Sequence, residues 1–270
     1  MIDMIWLKRF AWCLVCLQLD LTFAADKQLP PKLQFDYAVS VTVDYKQREA
    51  YLKKNNESPQ AYDAALKLMS GGLHAADITD IVEIGPTKYQ INSTANLTSA
   101  LSVAIPNQTL YRLSYGDVTK NGLVTTSYVE KKGSAEQYQA KLDLRTKKVL
   151  FSKDRSKTGS ADLNGNLLDL LNVAYTYLGR SPPPAQSLLN ITDSKSLAQY
   201  TLNRGESWDF PFNGSKIKAY RYFKSVTKDD SSTLQIWLSE KGNIPLRIVV
   251  GLNERYGATI QADLKALPPL

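Results

Sequence analysis

The chain of 270 residues has two cysteines and one histidine, and both cysteines, Cys13 and Cys16, fall within its first 24 residues. Beyond that point disulfides, iron–sulfur clusters, zinc–thiolate centres and cysteine nucleophiles are excluded. Any Ser-His-Asp triad would have to use His74, which sits in Gly71-Gly72-Leu73-His74-Ala75, and no Gly-x-Ser-x-Gly elbow occurs. It reads as a surface histidine. The chain also lacks a P-loop and a dinucleotide fingerprint, which removes the commonest phosphate cradles. These gaps leave no catalytic, cofactor-binding or metal residues to assign.

What is present begins with an address. Lys8 and Arg9 precede the apolar run Phe10–Leu19, and Thr22-Phe23-Ala24-Ala25 follows. That is the layout of a secretory signal, and cleavage after Ala24 is expected to remove residues 1–24. The run is well short of the roughly 20 apolar residues needed to cross a bilayer. Cys13 and Cys16 follow Trp12 and Val15, where a lipobox needs a small residue. A cysteine-free exported chain points to a bacterial periplasm. Asn-x-Ser/Thr triplets such as Asn96-Leu97-Thr98 and Asn190-Ile191-Thr192 read as turn and strand residues. Cleavage takes away Lys8, Arg9, Asp3 and Asp20, so the net charge of +7 belongs to the folded part. The expected partners are a lipid, lipopolysaccharide, a glycan or an envelope protein, rather than nucleic acid.

The body alternates with period two. Phe35, Tyr37, Val39, Val41, Val43 and Tyr45 occupy odd positions and polar or small residues the even ones, which reads as a long strand with one buried face. The pattern returns in Tyr111/Leu113/Tyr115, Tyr138/Ala140/Leu142/Leu144, Leu234/Ile236/Leu238, Leu246/Ile248/Val250 and Ala258/Ile260/Ala262/Leu264. Asn121-Gly122, Asn213-Gly214, Lys241-Gly242-Asn243 and Tyr256-Gly257 supply hairpin turns between consecutive strands. The expected fold is mainly β, a curved antiparallel meander sheet or half-barrel with two short helices, forming a single domain over 25–270. One helix is expected at Asn166–Leu178, with Leu167, Leu171, Ala174 and Leu178 on an apolar face and Asp169 on the polar side. On that reading, Leu171→Asp should destabilise far more than Asp169→Ala. The other is expected at Pro59–Met69, capped by Ser58, within a partly helical insert at about 46–72.

From Asp162 to Leu267 the chain resembles the bacterial exported domain-of-unknown-function family 3108. The resemblance rests on Asp169-Leu170-Leu171 with Tyr175, the strand Tyr200–Leu202, Trp208-Asp209-Phe210, and Leu234-Gln235-Ile236-Trp237-Leu238 running through a Lys-Gly-Asn turn into Ile244-Pro245-Leu246-Arg247-Ile248. Two features depart from that family: the insertion Lys46–Gly72, and Asn172 where the motif has Ser. The resemblance implies export and a β-rich fold, with no established activity. The general look is also similar to the half-barrels of periplasmic lipoprotein carriers.

Asp162, Asn164, Asn166 and Asp169 offer oxygen ligands, but Gly165 and Val173 stand where a calcium loop needs other residues, so they read as a turn. Carboxylates for glycan hydrolysis could come from Asp77, Asp80, Glu83, Asp229 and Asp230, with no visible convergence. Two basic sets stand out: Arg145, Lys147, Lys148, Lys153, Arg155 and Lys157, and then Lys216, Lys218, Lys224 and Lys228, which share strand parity with Tyr220 and Tyr222. They form a candidate anion or ligand surface, although lysines also protect solvated sheet edges. The leading expectation is a non-catalytic envelope protein whose curved sheet binds an apolar or amphipathic ligand or an envelope component. The alternatives are a glycan-acting enzyme and a structural assembly partner.

Overall fold

The computed structural model describes residues 30–59, 63–98, 109–133, 136–227, 232–252 and 256–269. The expected signal at 1–24 lies outside these residues, as do Lys228, Asp229 and Asp230.

The chain opens with β1 (Lys32–Val43), followed by helices α1 (Tyr45–Asn55) and α2 (Asp63–Leu68). Seven strands come next: β2 (Leu73–Ile84), β3 (Lys88–Leu97), β4 (Leu110–Thr119), β5 (Gly122–Lys132), β6 (Glu136–Asp143), β7 (Lys148–Lys153) and β8 (Ser156–Asp162). A three-residue strand, β9 (Leu167–Asp169), leads into a 3-10 turn at Asn172–Ala174. The second half holds β10 (Gln186–Thr192), β11 (Leu197–Phe212), β12 (Ser215–Lys224), β13 (Thr233–Ser239), β14 (Pro245–Gly251) and β15 (Ala258–Leu264).

All fifteen strands form one sheet in the order β8-β7-β6-β5-β4-β3-β2-β1-β15-β14-β13-β12-β11-β10-β9. Two meanders, β1–β8 and β9–β15, therefore join along the antiparallel pair β1–β15, in which Tyr37 faces Leu264 and Val43 faces Ala258. Every neighbouring pair is antiparallel except β9–β10. The sheet is curved and does not close into a barrel.

The inner face of β1 is Leu33, Phe35, Tyr37 and Val39, all buried, as the period-two pattern requires. Strand β4 reverses the expectation. Tyr111 and Tyr115 are exposed, while Ser114 and Gly116 are buried. The inward polar face has a partner described below. Gly116 is also sterically fixed, since a Cβ there would lie 1.9 Å from the Val124 carbonyl oxygen.

The helix expected at Asn166–Leu178 is not formed. Leu167, Leu168, Leu171, Val173, Ala174, Tyr175 and Leu178 are all buried while Leu170 is exposed, so the segment is covered on most sides instead of along one stripe. It fills the hollow of the curved sheet as a plug; the Phe35 and Tyr175 rings lie 5.0 Å apart. The Asp169 carboxylate accepts the N–H groups of Leu171 and Asn172 at 2.9 and 2.8 Å, a local turn that competes with helix formation.

The insert is helical as expected, with different boundaries. The expected Pro59–Met69 helix is described from Asp63 to Leu68, and a further helix, Tyr45–Asn55, precedes it, capped by Asp44, which accepts from the Gln47 N–H at 3.1 Å. The two helices are joined by a buried ion pair in which Arg48 Nε and Nη2 donate to Asp63 Oδ1 and Oδ2 at 2.8 and 3.2 Å. Asp44 N–H donates to the Gly257 carbonyl, which docks the insert on the end of the sheet where β1 finishes and β15 begins.

Candidate functional site

The opposite end of the sheet carries an open cleft of about 1450 Å³. One wall is the tip of the β4–β5 hairpin with Lys120 and Asn121, and the β2–β3 turn at Ile84–Pro86 stands beside it. The plug supplies the floor through Leu168 and Thr176–Gly179, and Leu188 and Leu189 of β10 form the facing wall. Arg180, Pro182 and Pro184 complete the rim.

Short-range chemistry holds this mouth open. The Leu123 N–H donates to Thr176 Oγ1 at 3.0 Å, and Gly122 adopts φ +125 where a Cβ would lie 2.5 Å from that same oxygen. Only glycine meets both demands. Arg180 Nη1 donates to the Thr119 carbonyl at 2.5 Å. Asn243 Nδ2 donates to the carbonyls of Tyr177 and Arg180 at 3.0 and 2.6 Å, so the β13–β14 turn secures the end of the plug.

Strand β10 contributes a free edge. Arg204 N–H donates to the Ala185 carbonyl, so Ser187 and Leu189 turn their backbone groups toward β11 while Gln186 and Leu188 turn theirs away. Strand β9 pairs only with Asn190–Thr192, and no strand among the described residues covers the stretch above it. Leu188 is 62% exposed.

The cleft lining combines apolar side chains, amides and two cations, Lys120 and Arg180, with no Asp or Glu. An anionic head group beside an apolar tail matches that lining; acid–base hydrolysis by paired carboxylates has no groups there.

Below the floor lies a sealed polar network. Ser114 Oγ and Thr125 Oγ1 donate to Asp169 Oδ2 at 2.6 and 2.7 Å. Asn172 Nδ2 donates to the Tyr89 hydroxyl and to Thr125 Oγ1 at 2.7 and 2.9 Å, and its Oδ1 accepts the Asp169 N–H. Burial holds the Asp169 carboxyl above the usual carboxylate range, and the bonds it accepts pull the other way. Nearby, the Tyr175 hydroxyl donates to Asp80 Oδ2 at 2.6 Å and lies 3.1 Å from the Tyr37 hydroxyl. Asp80 is also raised by burial, offset in part by Ser93, Tyr175 and the Arg112 charge. Neither carboxylate lines the cleft, so both hold the plug in place and neither is presented to a ligand.

The remaining sequence candidates are dispersed. His74 is half exposed and 3.3 Å from Asp77, which also binds Lys265 at 2.6 Å. Glu83 pairs with Lys32 and Asp162 with Lys148, each at 3.3 Å. Of the oxygen-bearing residues at 162–169, Asp162 pairs with Lys148 at the surface while Asp169 is sealed inside, and no group of three His, Cys, Asp or Glu among the described residues is placed to hold a metal. The basic set around β7 is divided: Arg145, Lys147 and Lys148 stand at its cleft end, Lys153 and Arg155 at the other. Lys153 lies over the Tyr138 ring, as does Lys195 at 4.1 Å. On β12, Lys216 and Lys218 are exposed, with Lys218 2.9 Å from Asp209, whereas Tyr220 and Tyr222 are buried inside the sheet. Lys224 is buried as well and donates to the Ser232 carbonyl at 2.5 Å.

Sequence reasoning did not single out Lys120 or Arg180, because each is an isolated cation in the chain and only the fold brings them to one rim. No family model matches the chain, and no curated protein matches it.

Proposed function

We propose that this is an exported, non-catalytic binding protein whose cleft takes an amphipathic anion, with the head group at the Lys120–Arg180 rim and the apolar part on Leu168, Leu178, Leu188 and Leu189. One observation carries the reading: a cleft of about 1450 Å³ with an apolar floor, two cations and no carboxylate in its lining. The outward N–H groups of Gln186 and Leu188 add donors beside the same mouth. Export rests on the signal-like stretch 1–24, and the basic balance of the chain favours anionic partners.

Isothermal titration with laurate and with its neutral glycerol ester tests the reading. Lys120→Glu changes the head-group interaction by two unit charges, each worth about 1 kcal/mol near an anion, so laurate affinity should fall by about tenfold or more. Affinity for the neutral ester should hold. Leu188→Asp should weaken both. Native protein that binds neither compound would overturn the proposal.

A further inference from the structure

The outer face of β11–β14, on the other side of the sheet from the core, carries a second constellation. Trp208 faces Ala219 across β11–β12, and Trp237 faces Arg221 across β12–β13. These positions alternate with the buried Tyr220, Tyr222, Ile236 and Leu238, so they point away from the core. Ala219 is small and fully buried, and over it the two indoles meet with centroids 4.9 Å apart. Phe210 supports them from the side, 5.7 Å from Trp237. The outer indole, Trp208, is 47% exposed. Trp6 and Trp12 lie within residues 1–24, so the folded part keeps its only two tryptophans together at this place.

The charges around the rings are unequally matched. On this face Asp263 is held by Arg247, whose guanidinium also lies 5.2 Å from the Phe210 ring. Arg221 stacks on Phe223 at 4.3 Å and borders Trp237 at 5.9 Å, and it makes no ion pair among the described residues. A stacked guanidinium uses its π-face, leaving the in-plane N–H fork for a planar anion such as a carboxylate.

We propose that this patch binds an acidic polysaccharide of the uronic-acid class. A hexuronate unit has an apolar C–H face to lie on the indoles and a carboxylate for the Arg221 fork. The platform is a sheet face on which a sugar ring can lie flat, which favours a sugar over an acidic peptide.

The test uses the chain without residues 1–24, which retains every described residue and whose tryptophan fluorescence reports only on Trp208 and Trp237. Polygalacturonate is the probe; dextran, neutral, and polyglutamate, acidic but not a sugar, are the comparisons, all in 0.5 M salt to suppress non-specific attraction. Saturable fluorescence change is expected with polygalacturonate alone. Arg221→Gln should weaken it at least fivefold and Trp208→Ala should abolish it, both with unchanged melting temperature, whereas Lys120→Gln in the cleft should bind as the native chain does. No fluorescence change with polygalacturonate, an equal response to polyglutamate, or unaltered binding by a folded Arg221→Gln variant would each overturn the proposal.

Discussion

Asp169 has two oxygens and four donors aimed at them: the hydroxyls of Ser114 and Thr125 and the N–H groups of Leu171 and Asn172. Removing the carboxylate strands all four in a dry interior, where each buried unsatisfied group costs about 1–3 kcal/mol. Asp169→Ala is therefore expected to cost at least about 3 kcal/mol, close to the roughly 2–5 kcal/mol of Leu171→Ala. Urea denaturation of the two variants compares them directly, and a native-like midpoint for Asp169→Ala would mean that the network does not secure the plug. This corrects the placement that helical spacing suggests, because a wheel drawn over Asn166–Leu178 puts the buried Asp169 in solvent. Ionisation carries a second expectation. Both Asp80 and Asp169 have carboxyls raised by burial, so their contribution to stability is fully present below the ordinary value of 3.8 and is lost as pH rises through the raised folded value. The lowered carboxyls, Asp77, Asp143 and Asp209, act in the opposite sense and lose their contribution only as pH falls below 3.8. The melting temperature should accordingly decline as pH rises above 3.8, and Asp80→Asn, which still accepts from Tyr175, should flatten that decline. A profile that rises over the same interval would contradict the assignment.

At the scale of elements, the strands were legible and the plug was not. Period-two alternation and Asn-Gly or Gly-Asn turns depend on near neighbours, and they mark β1, β13, β14 and β15, with the turns at Asn213-Gly214 and Lys241-Gly242-Asn243, correctly. The same rule failed on β4, whose aromatic stripe Tyr111/Leu113/Tyr115 faces outward because Ser114 is needed inside for Asp169. Nothing within ten residues of Ser114 reports a carboxylate more than fifty positions away. The helical insert shows a similar limit: its ion pair joins Arg48 to Asp63 across the link between α1 and α2, and neither residue stood out by type or spacing. Arg48→Ala leaves the Asp63 carboxylate buried without this guanidinium, at an expected cost of about 3–5 kcal/mol. Limited proteolysis should then cut first within the insert, with the sheet surviving longer; uniform resistance would show that the pair is dispensable.

For the whole molecule, the cleft belongs to no single stretch of chain, since its rim draws on the β4–β5 tip, the plug exit and β10. Local patterns announced a meander but could not announce that β15 returns to β1, more than two hundred residues upstream. That pairing governs the order of assembly. Each meander is built from adjacent hairpins, which form on a scale of microseconds, so both halves can gain structure early. The joint between them must await the last strand and bears the loop-closure entropy of almost the entire chain. During that interval β1 stands as a long unpaired edge, open to any extended chain nearby. A protein threaded through a membrane from its amino terminus would present that edge first and its natural partner last, so the time spent waiting for residues 258–264 is when it is most exposed to mispairing.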